Sequence, residues 1–120
     1  MFRIGGYYMT NVYDQAHKLA RAIRDSEEYR TYLEKRKVLS SDEKNKDMVE
    51  DFEAKVFELQ MKHISGEEVD ETELEKLGKL EDVLMLNPVI KDYFMAELRF
   101  TQLVKDINNI IGEAIEFNNE

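Results

Sequence analysis

Asp14 and His17 stand three residues apart, a spacing that puts a carboxylate and an imidazole on one face of a helix and makes half of a di-iron bundle motif. The other half needs a second such pair plus two further carboxylates. The chain's second histidine, His63, has Gln60 at the matching position, so no metal ligand is assigned. Cysteine is absent, which excludes disulfides, thiolate metal sites and cysteine nucleophiles. Ser26, Ser40, Ser41 and Ser65 have no histidine and acid at a readable spacing; they suit caps and turns. Gly5-Gly6 lacks the strand, the further glycines and the Lys-Ser/Thr of a phosphate-binding loop. Glu67, Glu68, Asp70, Glu71, Glu73 and Glu75 lack the Asp-x-Asp-x-Asp-Gly order of a calcium loop and suit a solvated helix N-terminus. No catalytic residue, cofactor or metal is expected, and the chain is expected not to be an enzyme.

Helices must carry these residues, because apolar positions recur at steps of three and four along most of the chain, without a convincing period of two. Asn11 caps a first helix whose Val12, Ala16, Leu19, Ala20 and Ile23 share a face. Asp25-Ser26 interrupts it, and a second helix carries Tyr29, Tyr32, Leu33 and Arg36 on one side before ending near Val38-Leu39. A third helix, over about 42–64, aligns Val49, Phe52, Val56, Leu59 and His63 and stops at Ser65-Gly66, where Gly66 suits a left-handed C-cap. Asp70 and Glu73 make a capping-box-like pair for a fourth helix running to Leu86.

Asn87-Pro88 opens the fifth helix, since Asn can cap and Pro is preorganised for the first helical position. Residues 88–117 make it about 45 Å long. Its Tyr93, Ala96, Phe100, Leu103, Ile107, Ile110, Ala114 and Phe117 keep an unbroken heptad seam, broadened by Ile90, Val104 and Ile111. One hairpin of the same chain is too little to cover that stripe. The expected architecture is all-α, antiparallel helical hairpins with a long C-terminal helix, in a homodimer joined through Tyr93, Phe100, Leu103, Ile107 and Ile110.

At 120 residues, 42% hydrophobic and 36% charged, the chain is one globular domain's worth. No run approaches the roughly 18 apolar residues of a membrane helix, and the expected location is the cytoplasm. A net charge of −9 opposes a nucleic-acid backbone. Its distribution is uneven: residues 1–37 hold eight Lys/Arg against five Asp/Glu, and residues 38–120 hold nine against 21. A basic N-terminal piece thus sits on an acidic body, which suits intramolecular or intersubunit complementarity.

NVYDQAHKLARAIRDSEEY at 11–29, HISGEEVDETELEKL at 63–77 and NPVIKDYFMAELRFTQLVKDINNIIGEAI at 87–115 together resemble the YlbF/YmcA family, most of all its YheA-type branch. The resemblance covers residues 9 to about 117. It implies a small helical, often dimeric, cytosolic protein of low-GC Gram-positive bacteria. It also implies a regulatory partner's role, of the kind family members play in competence, sporulation, biofilm formation and RNA turnover. The iron–sulfur clusters of certain branches are held by cysteines, so that property does not carry over. Family members look like they begin at M-T-x-x-Y-D, which matches Met9 to Asp14; residues 1–8 are then expected to be a leader extension and residues 9–120 the domain.

The function expected is that of a regulatory or adaptor dimer acting by protein–protein contact on an unidentified cytosolic partner. Its docking residues are expected in the basic end of the second helix, Arg30, Lys35, Arg36 and Lys37, and in the acidic hairpin at Glu67, Glu68 and Glu71. The alternative is an RNA-turnover or nucleic-acid-associated factor using the basic N-terminal helices.

Overall fold

Each of the five helices among the described residues of the computed structural model begins at a side chain that closes its first turn. The structure describes residues 2–4 and 7–9, as backbone only, and 11–115. Helix α1 is Val12–Arg24, with Asn11 Oδ1 accepting from the Tyr13 and Asp14 N–H groups. Helix α2 is Glu27–Ser40, with Ser26 Oγ accepting from the Tyr29 N–H. Helix α3, Glu43–Ile64, is capped by Asp42, and α4, Glu71–Leu84, by Asp70. Helix α5 is Pro88–Ile115, and Asn87 Oδ1 accepts from the Val89 and Ile90 N–H groups. These short polar side chains replace the partners that the first N–H groups of any helix lack.

Gly66 ends α3 as expected, at φ 82°. The Glu67 N–H returns to the Lys62 carbonyl and the Gly66 N–H to that of His63, the paired bonds of a Schellman motif. Glu73 departs from expectation: its carboxylate lies 3.4 Å from Lys62 Nζ, tying α4 to α3 across the hairpin instead of reaching back to the cap. Helix α4 also stops two residues before Leu86. A short antiparallel ladder, β1 (Phe2–Ile4) with β2 (Tyr7–Met9), pairs Phe2 with Met9 and Ile4 with Tyr7. Three-residue strands are too short to register as a period of two. Met1, Gly5, Gly6, Thr10 and residues 116–120, Phe117 of the seam included, lie outside the described residues.

The core forms where α2 lies antiparallel on the first half of α5 and the ends of α3 and α4 close over it. Tyr29 and Tyr32 pack on Phe100 with ring centroids 4.9 and 5.5 Å away. Tyr32 meets Tyr93 at 5.9 Å, and Lys35 approaches Asp92 at 3.9 Å. Leu39, Val49, Leu84, Ile90, Tyr93 and Ala96 are buried. Asn87 Nδ2 donates to Asn45 Oδ1 at 2.9 Å, fastening the start of α5 to α3.

The molecule is a thin plate, 65 × 39 × 16 Å, with a radius of gyration of 20.0 Å. A compact chain of this length would have about 14 Å. No described helix is long and apolar enough to cross a membrane.

Candidate functional site

The seam on α5 divides into two halves. Tyr93 and Ala96 are buried by their own chain, and Phe100 is half-buried against Tyr29 and Tyr32. Tyr93 is thus taken up by α2 and has no ring face to offer a second copy, a correction to its expected place in a dimer contact. Beyond Phe100 the seam opens: Leu103 and Ile107 are half-buried, and Ile110 is 66% exposed. Ile111 and Ile115 are exposed beside it. Two surfaces were legible as one stripe because spacing shows which residues share a face and not which neighbour covers it.

Helix α1 is the second open surface. None of its residues is buried, and Val12, Tyr13, Ala16, Leu19 and Ala20 are all exposed. Asp14 and His17 ride on this helix, and among the described residues no group of three His, Asp or Glu could hold a metal ion. Together these faces enlarge the surface: the chain exposes 9884 Å², against about 6,800 Å² for a compact monomer of its mass. An excess of roughly 3,000 Å² exceeds what one partner contributes to an ordinary stable interface, about 800 Å².

Between α3 and α5 a groove of about 570 Å³ is lined by Phe52, Val56, Phe94 and Met95, with Glu53 and Glu97 on its walls. The Tyr93 hydroxyl donates to Glu97 Oε2 at 2.9 Å. Burial, then that bond, push the Tyr93 phenol well above its ordinary range, so it stays a neutral donor. Glu53 is also raised, first by desolvation and then by Glu97 and Glu50, with Arg36 pulling the other way. A second groove, about 530 Å³, runs along the α3–α4 hairpin past Val56, Leu59, His63, Ile64, Leu74 and Leu77.

The basic residues at the end of α2 do not form one patch. Arg30 Nη2 donates to the Asp25 carbonyl at 3.1 Å, Lys35 faces Asp92, and Arg36 acts on Glu53. Lys37 stands exposed on the last turn. Glu67, Glu68 and Glu71 are exposed around the turn into α4, at the far end of the hairpin from the core.

Residues 12–116 match the family described as "Control of competence regulator ComK, YlbF/YmcA". A UPF0342 protein of Caldicellulosiruptor bescii is 39% identical over 112 residues, covering 93% of this chain and 94% of the relative. A UPF0342 protein of Halothermothrix orenii is 37% identical over 105 residues, covering 88% and 89%. Among solved structures, "Protein of Unknown Function (DUF964) from Bacillus stearothermophilus" shares the fold, with a TM-score of 0.79 at 19% identity over 88% of this chain and 92% of that one. With its capped helices, Asn87-Pro88 start to α5 and near-full-length relatives, the chain belongs to the YlbF/YmcA family.

Proposed function

We propose that this protein is a non-enzymatic helical homodimer of the cytoplasm that regulates by docking to another protein. The observation that carries this is the surface: among the described residues a core of six buried side chains, with partly buried ones packed against it, supports a plate that leaves Val12, Tyr13, Leu19, Ile110, Ile111 and Ile115 on open helical faces. Contiguous exposed apolar area on this scale marks contact with other chains. Helix α5 beyond Phe100, with Leu103, Ile107 and Ile110, supplies the contact between copies. Lys37 and the acidic turn at Glu67, Glu68 and Glu71, off that contact, supply the docking of the partner. The family's description, control of the competence regulator ComK, points to that regulator or a factor acting on it as the first partner to try.

Light scattering with the purified regulator tests both levels. A dimer that gains mass with the regulator, and loses that gain on Lys37→Glu or on Glu68→Lys with Glu71→Lys, supports the reading. The effect should shrink as salt is raised, because such charges steer encounter and are screened. A monomer throughout, or a dimer indifferent to the regulator and to both variants, overturns it.

A further inference from the structure

Two arms leave the body of the plate at one end. The start of α2 flanks the middle of α5: Glu27, Glu28 and Thr31 share a cleft with Gln102, Leu103 and Asp106. Helix α1 joins α2 through Asp25 and Ser26 alone, so it sets out from beside the point where α5 loses its cover. The α1 arm has 13 residues, and residues 103–115 of α5 make a run of equal length, each about 20 Å. Neither arm is finished by its own chain.

Their faces are complementary in width and charge. At 3.6 residues per turn, Val12, Ala16, Leu19, Ala20 and Ile23 cover an arc of about 100°, the ordinary stripe of a helix with one neighbouring layer. Leu103, Ile107, Ile110, Ile111, Ala114 and Ile115 span about 140°, room for two neighbours. Lys18, Arg21 and Arg24, the last 4.0 Å from Asp25, make α1 basic against one carboxylate of its own, Asp14, whereas on residues 103–115 Asp106 and Glu113, which border Ile110, outnumber the one cation, Lys105. The open α1 face needs one apolar partner and the distal α5 face needs two.

We propose that α1 of one copy lies along residues 103–115 of α5 in a second copy, and reciprocally, with the two distal α5 segments in contact. Two copies then close a four-helix bundle from arms that neither can bury alone. The contact occurs twice about a two-fold axis, as an isologous dimer requires. It rests on the dimer proposed above and adds α1 as its second element, so that the basic N-terminal piece serves assembly.

The absence of cysteine makes the test clean. Two full-length chains are prepared, one with Ala16→Cys and one with Ile110→Cys, near the midpoints of the two arms so that either helix direction is reported. They are mixed, exchanged through denaturant and treated with a short bismaleimide. The expected products are a covalent heterodimer containing one of each chain and, because the two distal α5 segments also touch near their midpoints, a self-linked Ile110→Cys dimer, with no comparable self-linked Ala16→Cys dimer. Leu19→Asp, on a helix with no buried residue, should weaken dimerisation at least tenfold while helical content is kept. A dimer by light scattering that gives no mixed product, or that Leu19→Asp leaves intact, overturns the arm exchange alone. So does a doubly substituted chain that links only within itself. A wild-type monomer overturns the dimer reading as well.

Discussion

Glu53 shows what an open surface costs at the residue scale. Its carboxyl is held above the ordinary 4.5, chiefly by desolvation, then by Glu97 and Glu50, with Arg36 offsetting part. A raised acid binds more protons folded than unfolded, so its contribution to stability is best at low pH and is lost as pH rises from about 4.5 through its folded value. Glu53→Gln should hence stabilise the protein at pH 7 by less than about 1 kcal/mol, a magnitude set by its exposure. The difference should fade on acidification and vanish well below the ordinary glutamate value of 4.5. Thermal melts of both proteins at several pH values check this; a destabilisation at pH 7 that fades on acidification would show that the attraction to Arg36 dominates instead.

Turns and caps belong to the element scale, where local chemistry decides. Gly66 and Gly78 both have open space where a Cβ would stand, so backbone preference alone sets what alanine does. At φ 82°, Gly66→Ala should cost about 1 kcal/mol. Gly78→Ala, inside α4, should instead stabilise by about 0.5–1 kcal/mol. Denaturant titrations that give the two the same sign would refute the assignment. Asn87 does more than a cap: its Oδ1 serves the α5 N–H groups and its Nδ2 reaches Asn45 on α3. Asn87→Ala should cost about 1–2 kcal/mol, and Asn45→Ala about half as much. A double-mutant cycle in which the two losses simply add would remove the α3–α5 tie.

The same distinction explains which features were legible in the chain before its structure. Asn11, Ser26, Asp70, Gly66 and Asn87 act within three or four residues of themselves, and each marks the helix end its identity implies. Glu73 was misassigned because its partner, Lys62, stands eleven residues back across a turn. Tyr93 was assigned to a second chain for a similar reason: the heptad that carries it continues unbroken into residues facing solvent. Only the antiparallel placement of Tyr32 on Tyr93 reveals where α2 stops covering α5.

For the whole molecule, the plate's extended shape sets how stability should respond to dilution. With six buried residues among those described and a total surface of 9884 Å², far beyond a compact monomer's, one copy has too little interior to offset the entropy of ordering its helices. If two copies complete the structure, unfolding is coupled to dissociation and mass action makes the melting temperature depend on concentration. Each tenfold dilution removes about 1.4 kcal/mol per dimer. Spread over the unfolding entropy of two chains of this length, that amounts to roughly 3 °C. Melting curves over a hundredfold range should therefore descend by about 6 °C, and Leu19→Asp should start lower and reach its monomeric limit sooner. A melting temperature that stays constant across that range would make the single plate the folding unit. Its open faces would then exist for other proteins alone.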